Sequence, residues 1–399
     1  NTRHYEWDAS GRLHKVRDTL GEEQRYAYQG FNTQPSHIQD SKGNLTQLVR
    51  DALQRPTKVT LPDGSTRHYR YNAYGKVTSA IDELGRETRY EYAVPLHLLT
   101  TKHLPDGSSL RYRYDNVHLQ VSEIENSKGE IYRLGYTASG LLNEEIGFDG
   151  IKTTYAYDLN GQLIEKCEYG DEHDSEPYIT RYQRDPMGRL RFKTLPDGKT
   201  VEYGYDPFGQ LNALHDDTCP MAWEYDLGGR LIAEHQDWVT IRHRYDESTG
   251  HLSGTKLPDG QWLDYHYQDS QLKGMTLNEQ PLVGFGHNPQ GQEVERRQAN
   301  GLINHYQYDR IGRLHQHKLS QPGISDDDSL LLWSQTYGYQ RDGELSDIQG
   351  HQAKRFSYTA TGQLSAVNTA SDAQTHNQSH GGLFERFEFD SAGNPQLPG

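Results

Sequence analysis

Cysteine, aliphatic residues and long apolar runs are all scarce in this chain. Its 399 residues include 2 Cys, 3 Met and 5 Trp, and only 33% are hydrophobic. Cys167 and Cys219 rule out a disulfide framework and are too few for a closed cysteine zinc site. They are consistent with synthesis in a reducing compartment. No stretch approaches the ~18 apolar residues of a membrane-spanning helix. The opening NTRHYEWDASGRL has neither the basic nor the apolar region of a secretory signal. It starts inside a repeat and the end at FDSAGNPQLPG falls inside another, so the chain reads as an internal piece of a longer polypeptide. Positive charge is also short: the net charge of −15 sets up a field that opposes non-specific nucleic-acid binding. A mean hydropathy of −0.95 is too polar for one compact globule of this size.

Aromatic residues and glycine are abundant. The 28 Tyr and 9 Phe argue against disorder, which goes with few aromatics, and for an extended sheet with limited burial, which 39 Gly punctuate. Such a sheet has one wet face or borders a large internal void. The pattern aromatic-x-aromatic-Asp-x-x-Gly-x-Leu recurs throughout. Tyr5, Trp7, Asp8, Gly11 and Leu13 form one copy, and Tyr155, Tyr157, Asp158, Gly161 and Leu163 another. Further copies run through Tyr203/Tyr205/Asp206, Trp223/Tyr225/Asp226 and Tyr306/Tyr308/Asp309. With degenerate units, about seventeen copies follow at a period near 21, the mark of a repeat architecture. Aromatics at i and i+2 share one face of a strand, while the residue between them, such as Glu6, Arg70 or Glu91, faces the other way. Asp then opens a tight turn and Gly supplies the positive φ. The Leu is followed by a second apolar residue three positions on (Leu13/Val16, Leu211/Leu214), which breaks the strand period and places the Leu in the turn exit or beside a bulge.

A second turn separates these units. Leu-Pro-Asp-Gly occurs at 61–64, 104–107, 195–198 and 257–260, and Gly21, Gly43, Gly85, Gly129, Gly150 and Gly301 occupy the same slot. Pro presets φ, Asp bonds back to the backbone and Gly takes the left-handed position, so each is a hairpin turn. No segment carries a helical period over twelve residues. The fold class is therefore all-β: tandem hairpins across 1–399, interrupted by polar insertions at 170–180, 320–334 and 368–384 that read as elongated hairpin loops.

Each cluster that hints at chemistry has a plainer structural reading. The recurring Asp8, Asp115, Asp158, Asp206, Asp226, Asp246 and Asp309 suggest a sugar- or calcium-binding array, but turn formation accounts for them. The Tyr ladder suggests carbohydrate stacking, and cross-strand packing accounts for it. His315/His317 and His376/His380 lack carboxylate or Cys companions at ligand spacing. Asp326, Asp327 and Asp328 read as a solvated loop tip, and Gly284-x-Gly286 opens no helix. Asn44 and Asn377 begin formal glycosylation sequons. No catalytic, cofactor-binding or metal site is assigned, and no cofactor is expected.

Taken together, the Tyr-x-Tyr-Asp-x-x-Gly-x-Leu repeats and Pro-Asp-Gly turns resemble those of the Rhs or YD-repeat proteins. This family includes bacterial Rhs polymorphic toxins, the B and C subunits of insecticidal toxin complexes, and teneurins. The resemblance extends over essentially the whole chain. It implies a long sheet that spirals into a hollow shell, enclosing a C-terminal toxin domain until delivery to a target cell. It further implies partners on the same polypeptide, namely the remaining shell and an N-terminal PAAR-like region, with type VI secretion, a spike and a chaperone behind them. Synthesis in a bacterial cytoplasm follows, with no membrane span and no nucleic-acid partner. Family members release the toxin by aspartyl self-cleavage at an Asp-Pro motif closed by a double Gly. Asp185-Pro186 and Asp206-Pro207 lack that double Gly, so no cleavage residue is assigned here. The segment is expected to be a non-enzymatic shell module. A carbohydrate-binding repeat and teneurin-like adhesion are the alternatives. Some thirty-four strands at about 4.8 Å each wrap once into a ring near 50 Å across.

Overall fold

The computed structural model describes residues 3–18, 21–170, 176–268, 270–322, 330–350, 352–370 and 383–389, with the backbone of 395–396. Among these residues there is no helix. Thirty-five strands form one sheet, and a separate two-stranded pair joins Glu388–Phe389 to Pro395–Gln396. Within the large sheet each strand pairs antiparallel with its predecessor and its successor in sequence. Successive turns therefore alternate between two edges. One edge carries the turns that follow the aromatic strands, here called the Tyr-Asp edge. The opposite edge carries the Leu-Pro-Asp-Gly turns and their equivalents.

Of the two places open to the Leu, the turn exit or beside a bulge, the register shows the bulge. In the first hairpin Tyr5 faces Val16, Glu6 faces Lys15 and Trp7 faces Leu13, which leaves His14 as the extra residue. The same skip follows Leu163, Leu211, Leu231, Leu314 and Leu364. One extra residue flips the alternation, so Leu13 and Val16 lie on the face that carries the aromatic pair. An i, i+3 apolar pair is thereby compatible with a strand.

This sheet has no conventional core. Cys167, Ala233 and Val367 are its only buried hydrophobic residues among those described, and no large side chain is fully enclosed. The accessible surface is 25755 Å² for a 45.7 kDa chain. A compact monomer of that mass exposes about 15,900 Å². Among the described residues the wall is a single layer in which strands contact only their neighbours in the sheet, not a two-layer sandwich. Its wetter face carries rows of ion pairs, such as Arg113–Glu123 at 2.8 Å and Arg133–Glu123 at 3.4 Å. Exposed pairs of this kind contribute little individually.

Two sequence expectations need correction. Asp115 does not cap its turn; Asn116 does, its Oδ1 accepting the N–H groups of His118 and Gln120 at 3.1 Å. This loop is longer than its counterparts, so the cap moves one residue along. The three insertions are also shorter than read. Tyr178–Arg184, Leu330–Tyr339 and Leu383–Arg386 are strands, and Leu330 pairs with Gln321. Apolar stretches such as Leu330-Leu331-Leu332-Trp333 extend the hairpin instead of ending it. Residues 171–175, 323–329 and 371–382, with Asp326–Asp328, His376, Asn377 and His380, lie outside the described residues.

Candidate functional site

A single-layer wall depends on contacts between repeats, and the motif residues make them. The Asp at the head of each Tyr-Asp turn organises the loop around itself. Asp158 Oδ1 accepts the backbone N–H groups of Asn160 at 2.9 Å and Gln162 at 2.8 Å. Asp8, Asp206, Asp226 and Asp309 do the same for their turns. Asp246 also accepts the hydroxyls of Ser248 and Thr249, and these bonds with the Thr249 N–H hold its carboxyl down at about 2.

The second aromatic of the pair is Tyr because its hydroxyl is used. In twelve repeats it donates to a backbone carbonyl at or, for Tyr136, two residues before the start of the second strand of the preceding hairpin. Tyr28 reaches Leu13 O at 2.7 Å, Tyr157 reaches Leu142 O at 2.7 Å and Tyr205 reaches Leu190 O at 2.8 Å. Tyr71, Tyr92, Tyr114, Tyr136, Tyr225, Tyr245, Tyr308, Tyr339 and Tyr358 complete the set. The acceptor is usually the Leu of the motif, so each repeat is tied to the one before it.

The residue between Gly and Leu makes a second tie that the sequence motif leaves unspecified. Where it is Arg, it pairs with the turn Asp four residues earlier and lies over the Tyr of the next repeat. Arg12 sits 2.8 Å from Asp8 and 4.5 Å from the Tyr28 ring centre. Arg55/Tyr71, Arg189/Tyr205, Arg230/Tyr245 and Arg313/Tyr339 repeat the stack. At two of the Gln positions the amide bonds the next turn instead: Gln210 Nε2 to Gly229 O at 3.1 Å, and Gln292 Nε2 to Gly312 O at 2.9 Å. The recurrence of Arg or Gln at this position was the available signal.

Contacts between residues about 250 apart close the sheet on itself. Lys42 Nζ donates to Gln292 Oε1 at 3.0 Å, Gln290 Nε2 to Ser41 Oγ at 3.3 Å and Asn44 Nδ2 to Arg310 O at 2.5 Å. Further along, Arg86 bonds Asp342 at 2.6 Å and lies 3.9 Å from Glu344. Each contact joins the Pro-Asp-Gly-type edge of an early turn to the Tyr-Asp edge of a later one, and the order along the chain is kept. This is the seam of a spiral. The fifth to twenty-seventh strands in chain order, 23 in all, separate the 40–44 turn from the 288–292 turn. The ninth to thirty-first, again 23, separate 82–86 from 340–344. At about 4.8 Å per strand a revolution measures roughly 110 Å, giving a ring about 35 Å across before strand tilt widens it. This corrects the single 50 Å ring: the chain makes about one and a half revolutions, and the overlap forms the seam.

The other candidates disperse over the wall. The carboxylates of Asp185 and Asp206 are occupied by their own turns, Asp185 accepting from Met187 N at 2.9 Å and Arg189 N at 3.0 Å. His315 is the bulge residue of its hairpin. His317 lies against Tyr306 and Trp333 and bonds Asn304 Oδ1 at 2.8 Å, and burial pushes its imidazole pKa down. Gly284 and Gly286 lie within the strand Gln280–His287. Asn44 is engaged in the seam. Cys167 is buried and Cys219 partly exposed, both as free thiols. Among the described residues, no group of three or more His, Cys, Asp or Glu is arranged to hold a metal ion.

The family model described as RHS Repeat matches residues 50–87. The double-stranded DNA deaminase toxin A of Burkholderia cenocepacia (strain H111) is 26% identical over 98% of this chain and 28% of its own length. The probable deoxyribonuclease RhsB of Dickeya dadantii (strain 3937) is 23% identical over the same shares, 98% and 28%. The toxin protein Tse5 of Pseudomonas aeruginosa is 28% identical over 36% of this chain and 12% of its own length. The chain thus spans little more than a quarter of the curated relatives that it matches throughout. Among solved structures, the Photorhabdus luminescens Tc holotoxin pore aligns over 98% of this chain and 25% of its own, with a TM-score of 0.60 at 14% identity. A TcdB2–TccC3 complex aligns with a TM-score of 0.57, also at 14% identity, over 98% of this chain and 26% of its own. At that identity the likeness is one of fold.

Proposed function

The chain belongs to the Rhs (YD-repeat) family, and on that premise we propose that it is a section of the wall of a toxin-enclosing shell. The observation that carries this reading is the seam. A single-layer sheet that closes on itself and lacks a core of its own encloses space; a binding ribbon has no need to close. The wall acts by confinement. No residue of this segment takes part in bond making or breaking, and the enclosed partner is a toxin domain elsewhere on the same polypeptide. Export from the producing bacterium, by type VI secretion as the Tse5 likeness suggests, belongs to this proposal. Glycan binding by the Tyr ladder is the weaker reading, because twelve of its hydroxyls are already bonded to backbone carbonyls. The test is protease protection within the full reading frame. The segment beyond the wall should resist digestion while the wall is intact, and be cleaved after denaturation and dilution. Equal cleavage rates before and after would overturn the reading.

A further inference from the structure

Both parts of the seam carry more negative than positive charge. Arg86 faces three carboxylates: Asp82 of its own turn at 2.6 Å, Asp342 across the seam at 2.6 Å and Glu344 at 3.9 Å. Asp342 is almost fully buried, with a side chain 7% exposed. Tyr358 on the adjoining hairpin also faces Glu344 and Asp342, and Arg313 reaches the same turn through the carbonyl of Gln340. No second cation among these groups balances Glu344. Its Oε2 is buried and accepts no hydrogen bond from the protein.

The same arrangement recurs where the overlap begins. Glu22 lies among Asp18 of its own turn, Asp40 and Lys42. Lys42, the one cation of this group, is committed across the seam to Gln292 at 3.0 Å. Glu22 Oε1 is likewise buried without a protein donor. Two glutamates at separate stations thus have an oxygen buried in acidic surroundings, with one shared cation each.

We propose that the seam is proton-coupled: it closes more tightly in mildly acidic solution, as Glu344 and Glu22 take up protons, and loosens as the pH rises. Burial and the neighbouring Asp342 hold the Glu344 carboxyl above its ordinary range; burial and Asp18 do the same for Glu22. The folded state therefore binds these protons more tightly than the unfolded chain does. The resulting stabilisation is complete below the unfolded value of about 4.3 and is lost as the pH rises through the raised folded values. Neutralising either carboxyl leaves the cation to its remaining partner, Arg86 to Asp82 and Asp342, and Lys42 to Gln292.

Hydrogen exchange of the whole chain at pH 5.0 and pH 7.5, scaled for intrinsic exchange, tests this. Peptides covering 82–86 and 340–344 should be several-fold better protected at pH 5.0, while the off-seam 195–198 turn shows no such gain. Glu344→Gln and Glu22→Gln should each raise seam protection at pH 7.5 toward the pH 5.0 level and remove the pH dependence at their own station. The 195–198 turn reports whether a variant has unfolded as a whole. Equal seam protection at both pH values, or a looser seam in Glu344→Gln with the 195–198 turn intact, would overturn the proposal.

Discussion

Tyr157 shows how much rests on one atom. Its ring packs on the sheet, and its hydroxyl supplies a hydrogen bond to Leu142 O of the preceding repeat. Tyr157→Phe keeps the ring and leaves that carbonyl without its donor, so it should cost about 1 kcal/mol in a urea titration. The converse experiment is available in the same array. Arg184 stands where other repeats place the second aromatic, facing Leu190 as Tyr157 faces Leu163. Its Nε is buried without a partner. Arg184→Tyr should restore the tie to Leu163 O and stabilise the chain by about 1 kcal/mol, read as an increase in the urea midpoint with m unchanged. A loss would mean that this gap in the series has been filled in some other way. The sequence showed the Tyr excess and the ring packing. The hydroxyl role was legible only as a bias for Tyr over Phe at the second position.

At the scale of the hairpin, most of the structure could be read in advance. Asp-x-x-Gly and Pro-Asp-Gly turns have local causes, and the i, i+3 apolar spacing left a turn exit or a bulge open, of which the register contains the bulge. Insertion boundaries were less legible, because the same apolar residues serve a loop anchor or a longer strand. Asp115 failed because a lengthened loop displaces its cap. The turns also set the acid limit of the wall. Backbone N–H groups of Arg12 and Arg230 hold the Asp8 and Asp226 carboxyls below the usual carboxylate range, and Ser248 and Thr249 hold Asp246 at about 2. For carboxyls lowered in this way, the stabilisation is present above the unfolded value near 3.9 and is lost as the pH falls through the folded values. Thermal unfolding followed by circular dichroism should therefore show a falling Tm between about pH 4 and pH 2. Asp246→Ala should flatten that fall. An unchanged slope would show that the turn carboxylate does not sense folding.

The seam belongs to the whole molecule, and no local pattern contains it. Gln290, Arg310 and Asp342 are ordinary turn residues until the curvature accumulated over 23 to 25 strands brings them under Ser41, Asn44 and Arg86. Strand count and spacing were enough to expect a curved wall, but they left the ring size open, because the twist per strand decides where overlap begins. The most direct test is the distance between residues 41 and 290. Spin labels at Ser41→Cys and Gln290→Cys, with Cys167 and Cys219 replaced by Ser, can be followed by pulsed electron resonance. The spiral predicts one narrow distance below about 25 Å, two touching side chains plus label arms, whereas 23 strands laid out as an open ribbon separate the sites by roughly 110 Å. A broad distribution, or no measurable coupling in a folded chain, would contradict the closed wall.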